Sequence, residues 1–287
     1  MASASRDLPE ERNLLEQWAI NHFSRISHQL KQPEIIFSSA MKPCFVMKLV
    51  SNAKTWDDLD KVSRIRCFEL VIRFCLDCHL NADKIDLPPA LRDTSRQMSY
   101  CIETLTFRLP QSYSKTTYSG LRSKDLVRYS EERRELQTSR DVQRLNLSAL
   151  DHYRRVQRNI VHGDLHNLSI LGSDDSFFLI DPEFARIGCS SFDAGVFIAH
   201  VILHSVVAHG REGSSFDISS FLESTRARYF RDSNEVQELW PQVQMFCLNE
   251  IFAKIAGPIP SYWINTAPRE VQGQALSALS SFLIRYL

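Results

Sequence analysis

From Ala194 to Ala208 nearly every residue is apolar, and the two main interruptions, His200 and His204, fall one helical turn apart. A helix with no polar face must be surrounded by protein, so this segment demands packing partners on every side. With Ser191 placed to cap it, it is predicted as a buried helix over Phe192–Ala208. The run is shorter than the roughly 20 residues a bilayer span needs. The partners are legible as apolar stripes at three- and four-residue steps. Leu14, Leu15, Trp18, Ala19, Phe23 and Ile26 mark a first helix, and Leu59, Val62, Ile65, Val71, Ile72 and Phe74 a second across Asp57–Leu80. A third is entered through Pro88 or Pro89 and runs to about Leu109. Three more close the chain: Ile218–Phe230, Pro241–Ala256 ending at Gly257, and Pro268–Tyr286. Strand-like runs are few and short: Glu34–Ser38, Cys44–Val50, Ile160-Val161, Ser169–Leu171 and Phe177–Ile180. Many helices, few strands and no internal repeat place the chain in the α+β class.

Composition narrows the options further. Lys+Arg and Asp+Glu both number 34 in 287 residues, so formal net charge is zero, and 44% of residues are hydrophobic. These are ordinary globular values that argue against a disordered chain or a polybasic nucleic-acid binder. Gln111–Gln143 is the polar exception, with the charge run Glu131-Glu132-Arg133-Arg134. Its acids and bases are interspersed, which suits a loop followed by a solvated helix rather than a phosphate-tracking groove. The opening residues carry both charge signs and no apolar run, unlike a secretory or transit peptide. Seven cysteines, an odd count, include a lone pair at Cys75 and Cys78 inside a helical pattern, which reads as buried thiols rather than a zinc site. The expectation is a cytoplasmic protein with no membrane or nucleic-acid partner.

The residues that carry chemistry lie between His162 and Glu183. The stretch His162-Gly163-Asp164-Leu165-His166-Asn167-Leu168-Ser169 is followed, after a predicted hairpin, by Asp181-Pro182-Glu183-Phe184. Singly, Asp164 and Asp181 are acids of the kind common at strand ends. Together, on two sides of a hairpin, they can face one cleft. Phosphoryl transfer needs that arrangement: one carboxylate to accept a hydroxyl proton, and further oxygens to hold the metal that neutralises phosphate charge. Magnesium takes oxygen ligands, so Asp181, Glu183 and the Ser169 hydroxyl are chemically suitable. Pairs such as His162/His166 and His200/His204 have the four-residue spacing of zinc ligands, but the first pair sits in a loop and the second in the most apolar helix, where core packing is commoner. Trp240, Tyr262 and Trp263 read first as core aromatics and second as the floor of a substrate pocket.

The combination HGDLH…S…IDPEF…FDAG resembles the aminoglycoside phosphotransferase and choline kinase superfamily, which shares the protein-kinase-like fold, and within it the methylthioribose kinases most of all. The resemblance covers about 160–210 well and the flanks weakly. It implies a helical C-terminal lobe with a short catalytic β-hairpin, and ATP and magnesium (Mg2+) as cofactors. By resemblance Asp164 is the catalytic base, Asp181 and Glu183 bind the nucleotide-associated metal with Ser169 beside them, and Asp193 braces the catalytic loop through backbone hydrogen bonds. His162 packs beneath that loop, and His166 faces the cleft toward substrate.

Two departures qualify the resemblance. The first glycine is Gly120, so no glycine-rich phosphate loop precedes the catalytic segment. Lys48 superficially resembles a kinase strand lysine, but its distance before Asp164 places Phe45–Val50 better as the hinge between lobes. The expectation is therefore an incomplete, apparently truncated N-terminal lobe over 1–50 and a catalytic and substrate lobe over 51–287. Where methylthioribose kinases carry paired substrate-binding arginines, this chain offers Ala253 and Lys254, keeping one charge and losing the guanidinium fork. Lys254 is the substrate-binding candidate there, and a solvated helix lysine otherwise. The function expected is an ATP-dependent kinase for a hydroxyl of a sugar or amino alcohol. The alternative is a catalytically inactive kinase-like binding protein. Apolar stripes on the first helix leave a homodimer open.

Overall fold

A computed structural model describes residues 11–27, 29–39, 44–81, 87–115, 118, 120–173, 176–231 and 233–287. In chain order the elements begin with α1 (Arg12–Ile26), β1 (Leu30–Lys31), β2 (Ile35–Ser39), β3 (Cys44–Met47), α2 (Lys61–Leu80) and α3 (Arg92–Glu103). A short α4 (Leu109–Ser112) precedes α5 (Ser123–Thr138) and α6 (Arg140–Arg155). Four strands follow: β4 (Asn159–Val161), β5 (Ile170–Ser173), β6 (Ser176–Leu179) and β7 (Arg186–Gly188). The rest is α7 (Ser190–Arg211), α8 (Ile218–Tyr229), α9 (Asn234–Ala256), α10 (Tyr262–Asn265) and α11 (Arg269–Tyr286). The protein is mostly helical with a few small sheets, in keeping with the α+β class. Two expected turns, at 40–43 and at Asp174-Asp175, lie outside the described residues, as do the opening residues 1–10.

The chain divides into two compact units, one drawn from Met1–Ile102 and Val156–Ala194, the other from Glu103–Arg155 and Gly195–Leu287. In the first, α1 turns its apolar stripe inward: Leu15, Ala19, Ile20 and Phe23 are buried, and Phe23 meets Phe74 of α2 edge-on with ring centroids 5.1 Å apart. Burying a side chain of that size contributes about 2–3 kcal/mol. Asp60 caps α2 by accepting from the Ser63 amide at 2.8 Å, which moves the helix start from the expected Asp57 to Lys61. Asp57 belongs instead to a preceding 3-10 turn, Trp56–Asp58. Cys75 and Cys78 are free and buried, and burial pushes both thiols well above the usual range.

The strands of this unit form three small sheets. β2 and β3 pair antiparallel, as the two N-terminal apolar runs suggest. β5 and β6 form the expected hairpin, with Ile170 opposite Leu179. Two partners were invisible in the sequence. The two-residue β1 adds parallel to β6, Leu30 opposite Phe177, and β7 pairs antiparallel with β4, Asn159 opposite Gly188. Strands of two and three residues are too short to display a period, so only their neighbours define them.

In the second unit, Phe107 packs on Tyr153 and Phe246 with ring centroids 5.1 and 6.4 Å away. The polar stretch before α6 holds the expected helix, α5, which is not solvated all round, since it buries Tyr129 and Leu136. Tyr118 and Tyr129 donate their hydroxyls to the Lys254 and Ile255 carbonyls at 2.9 and 2.8 Å, satisfying acceptors that the end of α9 leaves without helical partners. α9 begins at Asn234, before the expected start at Pro241, and continues through that proline. An internal proline costs about 3 kcal/mol; the buried Val236, Leu239 and Trp240 of the extra turns offset it. Gly195 lies against α9: a Cβ there would meet the Val243 carbonyl at 2.6 Å and the Phe246 Cβ at 2.7 Å. A side chain at 195 would force the two helices apart.

By length and composition α7 could cross a membrane, but 83% of its most apolar window is buried inside protein, which fits a core helix. Its histidines are core residues too. His200 faces Glu250 at 3.3 Å, and His204 meets Trp263 edge-on at 4.8 Å. Trp240 and Trp263 are buried, whereas Tyr262 is exposed.

Candidate active site

All the candidate residues from His162 to Asp193 belong to the first unit. β4 delivers the chain into the loop, and Gly163 turns it at φ +92°, a conformation that side-chain-bearing residues avoid. A Cβ at this position would overlap the Phe184 carbonyl and the Arg186 guanidinium. Two backbone amides of this turn point at one carboxylate: His162 N and Gly163 N donate to Asp193 at 2.5 and 3.0 Å. Asp193 sits in the first turn of α7, where the helix dipole favours an anion. It is buried, and burial raises its carboxyl to about 6 against the opposing pull of Arg186 and the two amides. Arg186, fully buried on β7, lies over the Phe192 ring at 5.0 Å and donates to the Phe184 carbonyl at 3.2 Å. His162 is buried below the loop and donates from Nε2 to the Ile180 carbonyl at 2.9 Å, with burial lowering its ring to about 4. It is a neutral strut between the two ends of the hairpin.

Beyond this brace the loop carries Asp164, His166 and Ser169. His166 Nδ1 accepts from the Leu168 amide at 3.2 Å, which leaves the ring proton on Nε2, and Nε2 faces the Asp164 carboxylate at 3.7 Å. Ser169 is buried and donates its hydroxyl to the Asp164 carbonyl at 3.0 Å, with His166 Nδ1 3.2 Å away. The Ser169 hydroxyl thus ties the loop to its own start. Its oxygen keeps a lone pair for a cation.

Across the hairpin, Asp181 adopts φ +62°, a left-handed conformation that Asp tolerates better than most residues. Glu183 follows two residues later. Burial raises the Glu183 carboxyl, Asp181 and Asp164 raise it further, and Arg12 opposes them. Glu183 is therefore within electrostatic reach of both Asp181 and Asp164. Among the described residues no group of three or more His, Cys, Asp or Glu side chains is gathered closely enough to hold a metal ion.

Two participants come from α1 and were missed from sequence. Arg12 pairs with Glu183 at 3.4 Å. Glu16, one turn on, is buried, and its carboxyl is raised to about 7 by burial, with Asp181 and Glu183 adding to the effect. The apolar side of the same helix reinforces the contact, since Leu14, Leu15 and Trp18 gather with Leu91, Met98 and Phe184, the residue after Glu183. The available signal was Glu16 itself, an acid at i−3, i−4 and i−7 from the buried Ala19, Ile20 and Phe23.

Two candidates lie elsewhere. Lys48 follows β3 and pairs with Glu34 at 3.3 Å on the surface. Lys254 is in the second unit, where it is mostly buried and pairs with Glu250 at 3.2 Å, so it is not a solvated helix lysine. Glu250 would be raised by its burial, but Lys254 and His200 hold its carboxyl down at about 2.

No protein-family model matches the chain. Among curated proteins it is similar to methylthioribose kinases. That of Geobacillus thermodenitrificans (strain NG80-2) is 51% identical over 47 residues, 16% of this chain and 12% of the relative. That of Bacillus cereus (strain G9842) is 33% identical over 107 residues, 35% of this chain and 27% of the relative. A third, from Bacillus cereus (strain AH187), is 37% identical over 81 residues, 28% of this chain and 19% of the relative. The matched segments thus span between about an eighth and about a quarter of these relatives, and they support a kinase-like family.

Two measurements test the brace and the α1 contact. Asp193→Ala removes the acceptor for two buried amides and the carboxylate facing Arg186, and is expected to cost about 3–5 kcal/mol in urea unfolding; a loss near zero would contradict the brace. Glu16 has a folded pKa above its ordinary value of 4.5, so the stability it contributes is full below that value and is lost as pH rises through about 7. Glu16→Gln, in chelator, should therefore gain about 1–2 kcal/mol on the parent chain between acid and alkaline pH, allowing for partial solvent screening. A difference that does not change with pH would place Glu16 away from the acids.

Proposed function

We propose that this protein is a kinase-like phosphotransferase that uses ATP and magnesium to phosphorylate a hydroxyl of a small molecule, a sugar or an amino alcohol. The observation that supports the reading is that Glu183 feels both Asp181 and Asp164, and that Asp164 stands on a loop braced by Asp193. Partial similarity to methylthioribose kinases supports the same class. In this reading the site serves a soluble cytoplasmic enzyme with a small-molecule partner, and the helices of 51–287 form its catalytic and substrate lobe.

Each residue then has a role. Asp164 orients the acceptor hydroxyl and takes its proton as the bond to phosphorus forms. The His166 Nε2 proton faces that carboxylate and helps aim it or the substrate. Asp181 and Glu183 fit a magnesium ion by donor type, and Ser169 holds the loop beside them. Bound there, magnesium would neutralise phosphate charge. Lys254 is the further substrate-binding candidate, on the resemblance alone.

A second reading, a catalytically inactive kinase-like binding protein, is favoured by one observation. Among the described residues the cation paired at the acids is Arg12, on Glu183, while Lys48 pairs with Glu34 at the surface. Phosphate positioning supplies most of phosphoryl-transfer catalysis, so a site without a phosphate-directed cation would bind and not turn over.

The Asp164→Asn variant separates these readings. An active enzyme is expected to lose roughly 10²–10⁴ in turnover while still binding nucleotide. Binding is checked by thermal shift with ATP and magnesium, where a ligand at 100 times its Kd stabilises by about 2.7 kcal/mol. Unchanged turnover in the variant would overturn the assignment of the base. A shift with no turnover of any sugar or amino alcohol in the parent chain would establish the binding-protein reading.

A further inference from the structure

One concave surface of the first unit is not used by the acids of the candidate site. It is a recess of about 440 Å³ between β1, the start of β6 and α2, lined by Gln29, Lys31, Arg66, Glu69, Arg73 and Ser176. Its volume falls within the range of small-molecule sites. Three cations and one carboxylate line it, an excess of two positive charges in a chain whose net charge is zero. Such an excess in a concave wall attracts anions.

The groups are held in place. Lys31 donates to Ser176 Oγ at 2.7 Å, which leaves the serine hydroxyl proton to donate to a ligand. The Lys31 ammonium also lies 5.8 Å from the Phe178 ring centroid. Arg66 lies over the Phe177 ring at 6.0 Å, a contact that orients its guanidinium and engages none of its five N–H donors with a carboxylate. Among the described residues it has no hydrogen bond or ion pair. Arg73 is different, since it is tied to Glu69 at 2.8 Å, one turn back on α2. Lys31, Arg66 and Ser176 thus offer donors to an anion, and Glu69 and the Gln29 amide offer acceptors for hydroxyls.

We propose that this recess binds a phosphorylated polyol, with the phosphate held by Lys31, Arg66 and Ser176 and the hydroxyls by Glu69 and Gln29. The carboxylate in the lining disfavours a polyanionic strand, and the concavity suits a small ligand better than a flat macromolecular surface. The proposal is independent of Asp164.

The test is isothermal titration calorimetry on the full chain with glucose 6-phosphate, glucose and inorganic phosphate, each with a saturating non-hydrolysable ATP analogue and magnesium present. Glucose 6-phosphate is expected to bind more tightly than either of its parts. Lys31→Ser and Arg66→Ser should each weaken it about tenfold or more, the loss of one charge-assisted contact. Glu69→Gln should weaken glucose 6-phosphate and leave inorganic phosphate unchanged or tighter, so a general loss of folding is distinguishable from loss of the site. Asp164→Asn should leave binding intact. No heat with glucose 6-phosphate at millimolar concentration, or binding indifferent to Lys31 and Arg66, would overturn the proposal. So would tighter binding of an acidic peptide or of RNA at the same residues, which would assign the recess to a macromolecule.

Discussion

The candidate site depends on a single buried carboxylate. Asp193 collects the His162 and Gly163 amides and faces Arg186, and each of these groups would be costly to bury alone. The contact joins the first turn of α7 to the loop that presents Asp164. It also explains why Arg186 tolerates full burial, since a charge inside a protein persists only where others compensate it. Gly163 is required for the same reason: any side chain at its φ would occupy the space of the Phe184 carbonyl and of Arg186 itself.

Around this brace the acids are arranged on two loops of one hairpin. Like charges so placed repel, and the raised Glu183 and Glu16 carboxyls record that repulsion together with burial. Arg12 offsets part of it. Titration of the unit is correspondingly divided. Glu16 and Asp193 take up protons on folding and so favour the folded state as pH falls, whereas neutral His162 opposes them because the unfolded chain protonates first.

Much of this was legible in the residues. The apolar run of α7 announced a buried helix, and the short runs Ser169–Leu171 and Phe177–Ile180 a hairpin. Other features escaped for physical reasons. β1 and β7 are too short for a pattern and exist through their partners β6 and β4. α9 runs through Pro241 because buried side chains outweigh a local penalty that sequence reasoning weighs alone. α2 starts at a cap, Asp60, four residues into an apolar-periodic window that carries no mark of the 3-10 turn before it.

The sequence by itself determined residue types and local periods: which helices carry apolar stripes, where glycine must stand, and that Asp164, Ser169, Asp181 and Glu183 come in one short stretch. Only tertiary structure decided which side chains meet across long separations. Arg12 and Glu16 reached the acids, and Lys31 and Arg66 came to line one recess, because α1, α2 and β1 fold against a hairpin about 150 residues away in the chain. Such encounters depend on packing, and packing leaves no period in the residues that it brings together.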